Sequence, residues 1–367
     1  MDTILFLGII AILCALLQSL GIWRSGLFCG FCITTILLAI HYDFGTDYWA
    51  YYEWYERSLS VPFPNSISEF LTISHDPGWD MINLFFGKVF GTNGFFMLVA
   101  TLSIIESLCY YTFIKKFVPN NWYWFAIAIY ILNNHFFILT FSMMRQSFVM
   151  AILLICFTWI QQRKIILPLI VILLASTIHN SVLLCCPIVF IVLFSFNNQK
   201  FWGILLLSLW LLLLTASAIL EPILSSVANL TEMFAHYVDT YSKSSNMSYG
   251  VGYLLRLIPF IFLVIGLFTN QFAKEDVPML VIWSLTIILT PFGIIIPLFE
   301  RLLFYFELVS FAAFPKIINT CQSILSKSIL ILSILTLSIY TLYTGFYNSE
   351  SVYYEAFLDF HTIFEVI

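Results

Sequence analysis

Three arginines stand in or at the edge of apolar stretches. Arg145 opens one, Arg256 lies a turn or two inside another, and Arg301 opens a third. Ionisable groups in such surroundings are costly to place, so each raises a functional reading. A guanidinium binds phosphate oxygens through two parallel hydrogen bonds, and three converging guanidinium groups suit a dianionic phosphate or pyrophosphate. Proton acceptors accompany them: Asp47 and Asp76 in a long polar interruption, and His179 in the turn His179-Asn180-Ser181. A carboxylate or imidazole within reach of a hydroxyl can take its proton as general base. Asp47 is the first candidate, with His179 and Asp76 behind it. Tyr48, Gln146 and Tyr305, each close in sequence to one of these groups, are candidate substrate contacts. Plainer readings stand beside these. An arginine at a helix end also snorkels to headgroups, and His179 also serves as a helix cap. The aromatic residues of 42–55 suit a membrane-interface belt as well as sugar stacking. Glu106 and Glu307, inside apolar stretches, are read as packing or helix-to-helix hydrogen bonding.

The elements that position these groups follow from composition. The chain has 367 residues, 61% hydrophobic and only 10% charged, with a mean hydropathy of +0.97. A soluble domain carries about 25% charge, and a spanning helix needs roughly 20 mostly apolar residues. The expectation is an all-α, polytopic integral membrane protein forming a single transmembrane domain over 1–367. Apolar runs mark about twelve spans, at 3–22, 25–41, 95–113, 122–139, 146–161, 165–178, 181–196, 201–220, 251–269, 277–298, 301–317 and 328–346. Met1-Asp2 offers no basic n-region, so the first run reads as an uncleaved helix. Two long loops interrupt the pattern: about 42–94, with a short interfacial helix over Trp79 to Phe86, and about 221–250. All eight cysteines fall in apolar stretches and read as small hydrophobes. Neither a metal-ligand cluster nor a nucleotide-binding loop is present in the sequence, so no cofactor, metal or nucleic acid is expected.

Basic residues in short loops mark the cytoplasmic side. Arg24, Lys115, Lys116, Arg163, Lys164, Lys200, Lys274, Lys316 and Lys327 fall in alternate loops, which places both termini, both long loops and the candidate site residues on the outer side. A lipid-linked pyrophosphate presents its anionic group at that depth.

Several short segments carry a resemblance. His41-Tyr42-Asp43-Phe44-Gly45-Thr46-Asp47-Tyr48-Trp49-Ala50-Tyr51-Tyr52 resembles the G-x-D-Y-x-x-Y signature of the EpsG-like branch of Wzy-type polysaccharide polymerases. Asp76-Pro77-Gly78-Trp79 is similar to that family's acidic-x-G-aromatic element, Arg145-Gln146 to its R-Q element, and Ala175 to Ser181 to its A-x-x-x-H-x-S element. Glu300 to Phe306 resembles its late R-x-x-x-Y-F element. The order of these elements across about 41–306 is what makes the resemblance specific. The family pattern usually has arginine where His41 stands and Glu where Asp76 stands.

The resemblance implies an enzyme of the bacterial cytoplasmic membrane that joins undecaprenyl-pyrophosphate-linked repeat units into O-antigen, capsule or exopolysaccharide, inverting and metal-independent. Its partners would be those lipid-linked oligosaccharides and membrane lipid, with a chain-length regulator as a further candidate. Two other classes compete. A lipid-linked oligosaccharide flippase or other transporter would place charges near the bilayer midplane, and an O-antigen ligase shares the chemistry but needs a different acceptor.

Overall fold

The computed structural model describes residues 1–66, 69, 76–186, 189, 198–228, 250–295, 298–351 and 353–365. Contacts divide the chain into two compact units, Met1–Leu183 with Ser338–Ile367, and Leu184–Leu337. Apart from one short ladder, the regular structure among the described residues is helical. Five helical stretches among them are long and apolar enough to cross a membrane: Asp2–Ser19, Pro77–Phe117, Met144–Gln161, Val251–Phe268 and Ile324–Phe346. Arg301–Glu307 with Ser310–Thr320 makes a sixth if that bent pair is one span. The chain is therefore an all-α protein of membrane character. Shorter apolar helices fall on four more of the expected runs, at Gly26–Ile40, Ile166–Ser176, Gln199–Thr215 and Val277–Gly293, and most of the expected run 181–196 lies outside the described residues.

In the first unit, α1 (Asp2–Ser19) and α2 (Gly26–Ile40) pack against each other and against α5 (Gly94–Phe117) and α6 (Tyr123–Leu132). α3 (Tyr48–Leu59) and α4 (Pro77–Phe90) precede α5. They are followed by α7 (Phe137–Thr140), α8 (Met144–Gln161) and α9 (Ile166–Ser176). Burial along α1 falls on Ile4, Gly8, Ala11 and Ala15, a single helical stripe, while Phe6, Ile9 and Leu13 are exposed. A helix so apolar on its uncovered face belongs in lipid. α8 is the opposite case, with 67% of its span buried, so protein rather than lipid surrounds it.

Helix ends in this unit sort into two groups. At one end, Trp124 donates its backbone N–H to Ser19 Oγ at 3.2 Å, and Lys116 Nζ donates to Thr158 Oγ1 at 3.1 Å. At the other, the segment after Phe346 folds back over the start of the chain. Met1 donates to the Leu358 carbonyl at 2.7 Å, Tyr347 to Asp2 Oδ1 at 2.7 Å, and Gly45 N–H to the Ala356 carbonyl at 3.0 Å. β1 (His41–Tyr42) pairs antiparallel with β2 (His361–Thr362). Phe44 inserts among Phe141, Phe357 and Phe360, with ring centres 5.0, 4.8 and 5.3 Å away.

The second unit holds α10 (Gln199–Ala228), α11 (Val251–Phe268), α12 (Val277–Ile288), α13 (Thr290–Ile295), α14 (Leu298–Glu307) and α15 (Ser310–Thr320). α16 (Ile324–Phe346) begins there and ends in the first unit. Gln199 clips the Phe272 turn from both sides, donating to its carbonyl at 2.6 Å and accepting its N–H at 3.3 Å. Lys316 pairs with Asp276 at 2.6 Å.

Several expected boundaries are corrected. The interruption 42–94 carries two amphipathic helices, α3 and α4, because its aromatic residues recur at helical spacing. The expected span 122–139 breaks after Leu132, where the Asn133 side chain accepts the His135 N–H at 3.0 Å and competes with the helix ladder. The run 277–298 breaks before Pro291, which stands in the first turn of α13. The run 301–317 bends by 55° between α14 and α15. The expected 221–250 loop begins as helix through Ala228, and His236-Tyr237 and Ser242 to Ser248 lie outside the described residues.

Candidate active site

The loop 43–47 leads from α2 into α3 and is seated on the break that precedes α8. Gly45 adopts φ +111°, open to glycine, and a Cβ there would lie 2.7 Å from the Phe141 carbonyl oxygen. The Ser142 hydroxyl accepts the Asp47 N–H at 3.3 Å and is hydrogen-bonded with the Thr46 hydroxyl. Thr46 also donates to Asp47 Oδ1 at 3.2 Å. Asp47 is thereby fixed, half-buried, at the entry to α3.

Arg145 lies in the first turn of α8, four residues after Phe141, and so close to that loop. Its Nη1 donates to the carboxylate of Asp76, the residue that precedes α4. The pair is largely enclosed, with side-chain exposures of 22% and 13%. The guanidinium also faces two rings of α3, 4.7 Å from the centre of Trp54 and 5.6 Å from that of Tyr51. Trp54 is held in turn by Asp80 of α4, which accepts its indole N–H at 2.6 Å. Burial raises the pKa of the Tyr51 phenol, with the charge and hydrogen bond of Arg145 opposing, so Tyr51 stays a neutral hydroxyl. The Nε of Arg145 is buried with no hydrogen-bond partner.

The third element reaches the same place through a close backbone approach. Gly78 of α4 donates its N–H to the Thr177 carbonyl at 2.7 Å, and a Cβ on Gly78 would fall 2.2 Å from Thr177 Oγ1. Only glycine fits there. The contact sets the turn after α9, with half-buried His179, against the beginning of α4 beside Asp76. Thus Asp47, Asp76, Arg145 and His179 gather at one end of the first unit.

Other expected site residues have different settings. Tyr48 is fully buried, its ring edge-on to His41 at 5.4 Å and to Phe95 at 5.5 Å. Gln146 is 2% exposed. Arg256 lies in the second turn of α11 and Arg301 in α14, both half-buried, and Tyr305 is buried one turn beyond Arg301; all three belong to the second unit. Among the described residues no three His, Cys, Asp or Glu side chains are grouped to hold a metal ion.

Sequence reasoning missed Tyr51, Trp54, Asp80 and Ser142. The first two were legible as a face: Tyr48, Tyr51 and Tyr55 sit at i, i+3 and i+7 of α3, all buried against Trp79, Phe95 and Met144, and Trp54 adjoins that stripe. The interface-belt reading of 42–55 fails for these tyrosines, which are buried in protein, whereas Trp49 is 44% exposed.

The sequence pattern of the EpsG family matches residues 26–360, nearly the whole chain. The chain belongs to the EpsG family. EpsG proteins form a polysaccharide polymerase-like family, and the matched stretch contains every candidate site residue. Comparison with curated proteins and with solved structures gives no match. The ion pair Asp76–Arg145 and the Gly78–Thr177 contact thus join three separate sequence elements of an EpsG chain at one place.

Proposed function

We propose that this EpsG-family protein is a glycosyltransferase that polymerises undecaprenyl-pyrophosphate-linked repeat units on the outer face of the bacterial cytoplasmic membrane, with both termini outside. The observation that supports the reading is the Arg145 cluster: a planar cation at a helix N-terminus, backed by aromatic faces, beside a carboxylate at Asp47. The non-reducing-end hydroxyl of the incoming unit attacks the anomeric carbon of the growing chain. The bond from that carbon to the pyrophosphate oxygen breaks, and its electron pair leaves with the pyrophosphate. Asp47 takes the hydroxyl proton, and inversion follows from a single displacement.

Arg145 stabilises the charge that develops on the leaving group, helped by the positive end of the α8 dipole. Arg256 and Arg301 keep their reading as pyrophosphate-binding residues of the second unit. Asp76 has the role of a positioning residue, its carboxylate committed to Nη1 of Arg145, and His179 is the reserve base. Tyr48 and Gln146, both buried, pack behind the cluster rather than touch the sugar, and Tyr305 is a buried residue of the second unit beside Arg301.

Purified protein in lipid nanodiscs, supplied with lipid-linked repeat unit alone, should produce a ladder of polymer lengths. A product that appears only when a lipid A core acceptor is added would identify a ligase. Movement of the unit across a liposome membrane without polymer would identify a transporter and overturn the reading.

A further inference from the structure

The guanidinium of Arg145 already holds an anion. Its Nη1 donates to the Asp76 carboxylate, and the pair is largely enclosed. Asp76 directly precedes α4, and an aspartate at that position ordinarily turns its carboxylate onto the first N–H groups of its own helix. Here the side chain makes no such cap and faces Arg145, in the first turn of α8, instead. The starts of two helices and a guanidinium thus surround one carboxylate, in a setting that favours negative charge.

Two donors beside this pair have no acceptor. The Nε–H of Arg145 is buried without a partner, and so is the indole N–H of Trp79, whose side chain is fully buried. Trp79 and Arg145 lie against the same ring, 5.5 Å and 5.6 Å from the centre of Tyr51. Buried polar groups without partners are uncommon and call for an explanation. A phosphate group carries more oxygens and more charge than a carboxylate, and it engages a guanidinium fork through two parallel hydrogen bonds.

We propose that the Asp76 carboxylate is a built-in competitor at the anion site: it occupies Arg145 in the free protein and is displaced by the phosphate of a lipid-linked pyrophosphate. The inference rests on the reading of Arg145 as a pyrophosphate contact. The displaced carboxylate has a second place to go, because a change of side-chain rotamer turns it from Arg145 onto the positive end of α4. Its tether holds it at the site whatever the ligand concentration. A site left open in roughly one molecule in ten to one in a hundred loses about ten- to a hundredfold in apparent affinity. The returning carboxylate also expels the spent lipid pyrophosphate once the glycosidic bond has broken, which empties the site for the next unit.

The test is equilibrium binding of inorganic pyrophosphate, without magnesium, to the purified full-length protein in nanodiscs of zwitterionic lipid at fixed ionic strength. Asp76→Asn should bind pyrophosphate about tenfold or more tighter than the wild type, and pyrophosphate should raise its Tm by more. Adding Arg145→Gln to Asp76→Asn should abolish the gain. Glu53→Gln removes an exposed carboxylate next to Trp54 in the sequence and so reports the general effect of one charge less. Screened by solvent and salt, that variant should stay within about twofold of the wild type. Should Asp76→Asn fail to fold, Asp76→Ser replaces it, a short neutral side chain that still caps a helix. Affinity no better than wild type without the carboxylate, an equal gain in Glu53→Gln, or a gain that survives the loss of Arg145 overturns the proposal. A wild type that builds the polymer ladder while Asp76→Asn gains no affinity overturns this inference alone. A gain in affinity in a protein that builds no ladder overturns the polymerase reading alone.

Discussion

The guanidinium of Arg145 lies 4.7 Å from the centre of the Trp54 ring, and the same guanidinium donates to Asp76. One planar cation is therefore fixed by a ring face and by a carboxylate at once. Lysine keeps the charge but has neither a plane to stack nor a fork to bind two oxygens. Arg145→Lys should behave much more like Arg145→Ala than like the wild type. Both should lose about 10²–10³-fold in turnover, the usual cost of removing a preorganised charge-stabilising donor, measured as polymer length and rate in membranes matched for protein level. Near wild-type chains from Arg145→Ala would show that this arginine only anchors its helix.

Trp54 separates the stacking contribution from the charge. Trp54→Phe retains a ring face but releases Asp80, whereas Trp54→Ala removes both. A partly enclosed cation–π contact contributes about 0.5–2 kcal/mol, so turnover should fall several-fold in Trp54→Phe and further in Trp54→Ala. Equal activity in the two variants would assign the loss to the Asp80 bond instead.

Asp47→Asn preserves size and removes basicity. Protein levels should be unaltered, with polymerisation reduced by about 10²–10⁴-fold. Retained activity would move the base to His179, and His179→Asn should then carry the loss.

Gly78→Ala tests the seam between α4 and the His179 turn. The added methyl would lie 2.2 Å from Thr177 Oγ1 and 3.0 Å from the Thr177 carbonyl carbon. Overpacking of this kind costs about 1–3 kcal/mol, so protein level and Tm should drop. Adding Thr177→Ala removes the hydroxyl but not the backbone, and should restore part of the stability. Full tolerance of Gly78→Ala would mean that α4 does not abut this turn.

Much of this architecture was legible in the sequence, for a physical reason. Lipid demands long apolar helices, so the runs that became α1, α8, α11 and α16 declared themselves within a few residues. Arg145 at the start of α8 and His179 after α9 were readable as helix-end residues in the same way. Breaks inside apolar runs were not, because hydropathy does not register the Asn133 side chain competing for a backbone N–H. Nor did hydropathy reveal α3, whose buried tyrosines are scored as only mildly apolar. The pairing of Asp76 with Arg145, and the Gly78–Thr177 contact, join residues far apart in the chain. No local pattern encodes which acidic residue meets which arginine.

The broken stretch from Tyr123 to Thr140 bears on biogenesis. α6 has 10 residues and α7 four, so neither reaches across the roughly 30 Å of hydrocarbon by itself. Released singly into the bilayer during translation, this stretch would leave the carbonyls around Asn133 without donors. It gains shelter from α1, α2 and α5, which are already in place, and from α8, which follows. Insertion of this part of the chain is therefore a concerted event, in which a hairpin of several segments leaves the translocation machinery together.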